Sequence, residues 1–67
     1  MIVYVNGEAC QLEKEIGLPE LLTQLSLPVD RVAVELNQQV VPRKHWPQTI
    51  IREDDRLEVV HFVGGGR

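Results

Sequence analysis

The stretch MIVYVNGEACQLE, residues 1–13, decides the fold because it contains a hairpin signal. The run from Met1 to Val5 is rich in β-branched and aromatic side chains, and Asn6-Gly7 follows it. An Asn-Gly dipeptide readily adopts the positive φ angles of a tight type I′ turn, which makes it the strongest short-range hairpin signal. We therefore predict a first strand over residues 1–5 and a returning strand over residues 9–13.

One short helix is predicted after the hairpin. Four leucines follow the i, i+3, i+4, i+7 spacing of a single helix face, namely Leu18, Leu21, Leu22 and Leu25. Pro19 suits the first helical turn, and Pro28 restricts the residue before it and ends the element. A helix of about two turns is unstable alone. We therefore expect it to bury its leucines on a sheet.

The second half of the chain is predicted to contribute strands and one irregular loop. These segments are a strand over 31–37, a turn over 37–39, a return strand from Val40, an irregular loop or 3₁₀ turn over 42–47 anchored by Trp46, a strand over 49–51, a turn over 53–55 and a final strand over 57–63. The strands are indicated by period-two alternation, and the loop is indicated by its two prolines.

The order of these elements predicts the fold class. A hairpin followed by a short helix suits a sheet wrapped around one helix, with the last strand paired parallel to the first in the middle of the sheet. This is the α+β arrangement called the β-grasp, or ubiquitin-like, fold. We expect a mixed sheet of four to five strands packed on one short helix. Residues 1–67 are expected to form a single domain with a flexible Gly-rich C-terminal tail.

Size and charge narrow the function classes. A chain of 67 residues has a small core, and a catalytic cleft would occupy much of it, so an enzyme is disfavoured. The formal net charge of −3 argues against nucleic acid and suits partners with basic docking surfaces. No apolar run has the length of a membrane span, and the N-terminus lacks a signal-peptide pattern. We therefore predict a soluble cytoplasmic protein that binds neither nucleic acid nor membrane.

The titratable side chains give no catalytic or metal-binding motif. Cys10 lies on a predicted strand without a nearby basic partner, so we interpret it as a packing thiol. His45 and His61 are not at metal-ligand spacing from another His or a Cys, and residues 53–55 form an acidic turn that we expect to be solvated. We predict no catalytic residue, no metal and no cofactor in this chain.

Three glycines, Gly64, Gly65 and Gly66, follow the apolar final strand. Glycine loses more conformational entropy on folding than any other residue and buries no side chain, so folding does not explain the run. A backbone without Cβ atoms can thread a narrow tunnel, and three extended glycines reach about 10 Å. We predict that Gly64 and Gly65 thread a partner's site in an extended, mobile tail. A frayed terminus is the alternative.

Several segments together carry a family resemblance. They are Val5-Asn6-Gly7-Glu8, the run NQQVVPR over residues 37–43, Trp46, Asp55 and the run LEVVHFVGGG over residues 57–66. With them the sequence resembles the ThiS family, the sulfur carriers of thiamine thiazole synthesis. The resemblance spans essentially the whole chain, and the closing His-Phe-Val-Gly-Gly-Gly is its most specific part.

The resemblance implies a chemistry centred on the carboxyl group of Gly66. In the family, an E1-like (ThiF-type) adenylyltransferase activates this carboxylate with ATP and Mg²⁺. A cysteine desulfurase or a rhodanese-like donor then supplies sulfur for a thiocarboxylate, and a ThiG-type thiazole synthase takes the sulfur. A free carboxylate is a poor electrophile, whereas an acyl adenylate presents a good leaving group. The catalytic groups are accordingly expected in the partners.

The sequence departs from this pattern at Arg67. While Arg67 is attached, the carbonyl group of Gly66 belongs to an amide and is not available for activation. Three interpretations stay open: a protease removes Arg67, Arg67 was added to the natural sequence by cloning, or the carrier is inactive as written.

A docking surface is predicted beside the glycines. If the first and last strands are parallel neighbours, four apolar side chains share the sheet face turned away from the helix, namely Ile2, Tyr4, Val60 and Phe62. A contiguous apolar patch at this place would aim the glycines at a partner's active site. In the alternative interpretation, these side chains simply cover the sheet.

Two other functions remain open. A molybdopterin-synthase-type sulfur carrier also ends in Gly-Gly, but those relatives usually have a proline-containing approach to the glycines, which is absent here. A ubiquitin-like interaction module or protein modifier would use the same fold, and a modifier would form isopeptide bonds to lysines.

Overall fold

The structure, a computed structural model, describes residues 1–62. Its elements in chain order are β1 (Ile2–Val5), β2 (Glu8–Gln11), β3 (Ile16–Gly17), α1 (Leu18–Gln24), β4 (Val32–Leu36), β5 (Gln39–Val40), a 3₁₀ helix (Arg43–Gln48), β6 (Ile50–Ile51) and β7 (Arg56–His61). Five of these strands form one mixed sheet in the order β2-β1-β7-β4-β5. The predicted α+β class, with a mixed sheet and one short helix, is confirmed.

β1 and β2 form the predicted hairpin. Asn6 and Gly7 have φ angles of 52° and 84°, the positive values at both central positions that define a type I′ turn. β2 begins at Glu8 rather than at the predicted residue 9 because a two-residue turn places Glu8 directly opposite Val5. The hairpin signal in the sequence therefore fixes the register of the first strand pair.

β7 is the central strand of the sheet. It pairs parallel with β1, where Tyr4 lies opposite Arg56, and antiparallel with β4, where Ala33 lies opposite Val60. The prediction that the last strand lies parallel to the first in the middle of the sheet is confirmed. Consequently, the strand that leads toward the glycines has a neighbouring strand on each side.

The helix α1 covers one face of this sheet. Leu18, Leu21 and Leu22 are fully buried, as the leucine spacing predicts. At the start of the helix, the Gly17 N–H donates a 3.2 Å hydrogen bond to Oε1 of Glu20. The helix ends at Gln24, four residues before Pro28. The prediction that Pro28 ends the helix is therefore wrong, because the chain has already turned at Leu25.

The segments between the strands of the main sheet contain the predicted loop and one short two-stranded ladder. Residues 43–48 form the 3₁₀ helix, and Trp46 is buried there and donates from Nε1 to the Val41 carbonyl oxygen at 2.9 Å. The predicted anchoring role of Trp46 is therefore confirmed. β3 pairs with β6 in a separate two-stranded ladder. β3 was not predicted because two residues are too short to show periodicity.

The core lies between the inner face of the sheet and α1. Its buried members are Val3, Leu12, Leu18, Leu21, Leu22, Val32, Val34, Trp46, Ile51, Leu57 and Val59. Among residues 1–62, no element covers the other face of the five-stranded sheet, where Val60 and Phe62 are exposed. No helix in this part of the chain is long and apolar enough to cross a membrane.

Candidate functional site

The end of β7 is the part of the described fold that lies next to the glycine run. Its pairing with β4 extends from Leu57, opposite Leu36, to His61, opposite Val32. The Phe62 N–H then donates a 2.8 Å hydrogen bond to the Arg31 carbonyl oxygen. The backbone is therefore held against β4 up to Phe62, and its direction there is set by the sheet.

The Asn6 side chain holds β7 from the opposite side. β1 stops pairing with β7 after Val5 because the chain turns into the hairpin. At this point the Val59 N–H donates to Oδ1 of Asn6 at 2.7 Å, and Nδ2 of Asn6 donates to the Val59 carbonyl oxygen at 3.2 Å. The amide side chain thus takes the place of a peptide group and satisfies both backbone polar groups of Val59.

The acidic turn before β7 is hydrogen-bonded to neighbouring segments of the same chain. Oδ2 of Asp55 accepts a 2.8 Å hydrogen bond from the Arg52 N–H, and its Oδ1 accepts from Nδ2 of Asn37 at 3.0 Å. The Glu53 carboxylate accepts from the Ile2 N–H at 3.2 Å. Glu53 and Asp54 are exposed, as expected of a solvated turn, whereas Asp55 is half-buried, and its hydrogen bonds secure the start of β7.

The predicted docking residues share one sheet face, but they do not form one contiguous patch. Tyr4 lies opposite Arg56, whose guanidinium lies over the Tyr4 ring at 4.3 Å from its centroid. Val60 follows four residues later, about 13 Å along the strand at roughly 3.3 Å per residue. Ile2 lies still farther away, because parallel strands run in the same direction. The expectation of one contiguous patch is therefore wrong. The parallel register of β1 and β7 places Tyr4 beside Arg56 and leaves Val60 too far along the strand to contact it.

A smaller surface includes the end of β7 that precedes the glycines in sequence, and we call it the tail-proximal face. It consists of Ala33, Glu35, Val40, Glu58, Val60 and Phe62. The three large apolar members are well exposed: Val40 by 69%, Val60 by 60% and Phe62 by 56%. The sequence pattern identified Val60 and Phe62, whereas the other members became visible only through the register of β4 with β5 and β7.

Two carboxylates face each other within the tail-proximal face. Glu35 lies directly opposite Glu58 in the β4–β7 pair, and both side chains are exposed. Neither forms a salt bridge with another residue of the described part of the chain. Like charges at directly opposed strand positions are unfavourable for stability. A basic group of a partner would relieve this repulsion.

The remaining candidate residues have ordinary structural surroundings. Cys10 is half-buried and packs against the core, which agrees with its interpretation as a packing thiol. His45 and His61 are exposed, and residues 1–62 contain no group of three His, Cys, Asp or Glu side chains placed to hold a metal. The predictions for Gly64, Gly65, Gly66 and Arg67, and for the strand end at Val63, concern residues outside the described part.

Comparison with known proteins identifies the family. The sequence model of the ThiS family matches residues 3–66. The chain belongs to the ThiS family. The sulfur carrier protein ThiS of Escherichia coli is 33% identical over 66 residues, which cover 98% of this chain and 100% of that protein.

Two further relatives support the ThiS assignment in different ways. The crystal structure of ThiS from Geobacter metallireducens matches with a TM-score of 0.87 and 32% identity, over 98% of this chain and 100% of that one. The β-grasp fold is therefore confirmed. A thiazole synthase of Magnetococcus marinus is 42% identical over 67 residues, which are 100% of this chain but 21% of that protein. The chain thus spans about a fifth of that relative's length.

Proposed function

We propose that this chain is a sulfur carrier of thiamine biosynthesis, and that the carboxyl group of Gly66 carries the sulfur as a thiocarboxylate. The observation that carries the proposal is the match to the ThiS family, because it extends to residue 66, the last of the three glycines. The relative from Escherichia coli, which is named a sulfur carrier protein, supports the same role.

The chemistry needs two steps, and partner enzymes catalyse both. A carboxylate oxygen of Gly66 first attacks the α-phosphorus of ATP and releases pyrophosphate, which a ThiF-type adenylyltransferase catalyses with Mg²⁺. In the second step, a persulfide from a cysteine desulfurase or a rhodanese-like donor displaces AMP at the carbonyl carbon, and a thiol then reduces the resulting acyl disulfide, which releases the thiocarboxylate and leaves a disulfide. The displacement is favourable because the acyl adenylate has a good leaving group. Because activation uses ATP, we assign the reaction to the cytoplasm.

The body of the protein serves this chemistry by presenting the carboxyl group. β4 and the Asn6 amide hold β7 from opposite sides, and the hydrogen bond from Phe62 to Arg31 maintains the strand direction up to its last described residue. Four residues, 63–66, then span at most about 14 Å when extended. Gly64 and Gly65 have no Cβ atoms, so they fit a narrow channel while Gly66 reaches the reactive site.

A thiazole synthase of the ThiG type is the proposed acceptor of the sulfur. The support comes from the Magnetococcus marinus protein named thiazole synthase, which contains a segment matching all of this chain. A carrier segment and a synthase within one chain meet at a high effective concentration.

The tail-proximal face is the proposed docking surface, with Phe62 and Val60 as its apolar anchors. Both are more than half exposed and lie next to the glycines. Tyr4 and Ile2 belong to a second contact region on the same sheet face, and Arg56 separates this region from the tail-proximal face. Phe62→Ala should weaken adenylylation and leave thermal stability almost unchanged, because an exposed side chain contributes little to the fold. If adenylylation is unchanged, Phe62 does not belong to the interface.

Mass spectrometry tests the proposed function directly. A chain ending at Gly66 is incubated with the adenylyltransferase, ATP, Mg²⁺, the sulfur donor and a thiol reductant. Replacement of one carboxyl oxygen by sulfur adds about 16 Da. The chain that retains Arg67 is the matched control and should gain no mass, because its Gly66 carbonyl belongs to an amide. Absence of the gain from both chains refutes the proposal.

The same assay separates the alternatives. A high-mass ladder in cell extract would indicate a protein modifier rather than a sulfur carrier. Consumption of the thiocarboxylate by a molybdopterin synthase, but not by a thiazole synthase, would indicate the molybdopterin-type carrier.

A further inference from the structure

The outer edge of β2 presents free backbone groups. β2 is the edge strand beside β1, and the type I′ turn makes Val5 and Glu8 a hydrogen-bonded pair. The alternation continues through the bonds that link Met1 with Leu12 in both directions at 2.8 Å. The backbone groups of Ala9 and Gln11 therefore point away from β1. No hydrogen-bond partner for them occurs among residues 1–62.

A groove with a mixed polar and apolar lining lies beside this edge on the helix side of the sheet. It is open to solvent, has a volume of about 370 Å³ and is lined in part by Cys10, Leu25 and Leu27. Glu8 stands at its rim with an exposed side chain. The groove thus combines free backbone groups, an apolar wall and a carboxylate.

The helix C-terminus fixes the wall of the groove. The Leu27 N–H donates to the Leu22 carbonyl oxygen and the Ser26 N–H donates to the Thr23 carbonyl oxygen, both at 2.9 Å. With Ser26 at a φ of 62°, these two bonds form a Schellman motif. Leu25 and Leu27 are therefore held beside the groove by backbone hydrogen bonds, and the groove exists before any ligand binds.

We propose that the β2 edge and this groove bind an extended peptide segment of a partner protein. The segment adds a strand to the sheet by pairing with the backbone of Ala9 and Gln11, and alternate side chains enter the groove toward Leu25 and Leu27. This interaction requires neither Gly66 nor sulfur, so it goes beyond carrier chemistry.

Charge identifies the chemistry of the segment. Glu8 lies at the start of β2 with an exposed carboxylate at the groove rim, whereas Glu15, beyond the end of β2, is already paired with Arg52 at 3.5 Å. The whole chain has a formal net charge of −3. A segment complements this edge when its groove-facing side chains are a basic residue beside Glu8 and apolar residues beside Leu25 and Leu27. A second copy of the chain fits less well, because edge-to-edge pairing would bring like charges together.

A peptide titration tests the proposal. The probe is the acetylated and amidated peptide TKTVTVT, whose Lys and Val side chains lie on one face of an extended strand. It is added to the ¹⁵N-labelled chain, and its matched control is TETVTVT. TKTVTVT should shift the backbone amide resonances of Ala9 and Gln11 and slow their hydrogen exchange by about tenfold or more. TETVTVT should have no effect. Shifts confined to β5 or spread evenly over the surface would overturn the proposal.

Charge reversal supplies the second test. Glu8→Lys should weaken TKTVTVT binding by about five- to tenfold, whereas Glu35→Lys, on the other sheet face, should change it by less than about twofold. Both variants alter the net charge equally and replace exposed side chains, so they separate local contact from overall charge. Equal effects of the two variants would refute binding of the peptide in the groove. Concentration-dependent protection of Ala9 without peptide would show self-pairing and likewise refute it.

Discussion

Replacement of Asn6 by Gly tests whether its side chain secures the strand that leads to Gly66. Asn6 has a φ of 52°, and its amide makes two partly buried hydrogen bonds to Val59. Glycine accepts the same φ without strain but has no amide. The substitution therefore removes the two hydrogen bonds while the hairpin turn keeps its geometry.

The expected loss follows from those two bonds. A typical intramolecular hydrogen bond contributes about 1 kcal/mol, so Asn6→Gly should lower the free energy of unfolding by about 1–3 kcal/mol. Val59 is only 6% exposed, which limits the water that can replace the amide. Asn6→Ala should lose about 1 kcal/mol more, because alanine is strained at a positive φ.

Urea denaturation and hydrogen exchange measure the effect. The matched control is Asn37→Gly in the β4–β5 turn, where Asn37 has a φ of 51° and its side chain makes exposed hydrogen bonds. This control should lose less than Asn6→Gly, because water can replace exposed bonds. The Val59 amide should exchange about tenfold faster or more in Asn6→Gly. A change below about 0.5 kcal/mol, with unchanged Val59 exchange, would refute the reasoning.

Three further substitutions probe other parts of the fold by urea denaturation. Leu22→Ala should destabilise by about 2–5 kcal/mol because Leu22 is fully buried, and a loss below about 0.5 kcal/mol would contradict its place in the core. Arg43→Lys should destabilise by about 1 kcal/mol, since a lysine cannot reproduce the paired guanidinium hydrogen bonds to the Val29 and Val32 carbonyl oxygens. An unchanged stability would show that these two hydrogen bonds do not stabilise the fold. Ser26→Gly should stabilise by up to about 1 kcal/mol by relieving its positive φ, and a loss would argue against strain there.

Short-range patterns in the sequence predicted most of the fold. Asn6-Gly7 specified the hairpin, the four leucine positions specified the helix face, and alternation specified β4 and β7. These signals depend on neighbouring residues, so they can be read from one sequence. The predicted strand over 49–51 contains β6, but β3 and its pairing with β6 were missed, because β3 has two residues and its partner lies more than thirty positions away.

The candidate site was predicted only in part, because it depends on register between strands distant in sequence. Val60 and Phe62 were recognised from alternation, whereas Glu35 and Val40 join them only through the pairing of β4 with β7 and β5. The parallel register of β1 and β7 placed Tyr4 beside Arg56 rather than beside Val60. Alternation identifies the face on which a side chain lies, but it does not fix the position along the neighbouring strand.

Asn6 links the signal that determines the fold to the strand that precedes Gly66, whose carboxyl group is the proposed sulfur-carrying group. Its backbone forms the hairpin turn, and its side chain holds Val59 where β1 can no longer pair with β7. A change at Asn6 should therefore alter stability and the presentation of Gly66 together. Phe62 is exposed, so a change there should alter docking without altering stability. The proposed division between presentation and docking thus predicts that stability and adenylylation fall together in Asn6→Gly and separate in Phe62→Ala.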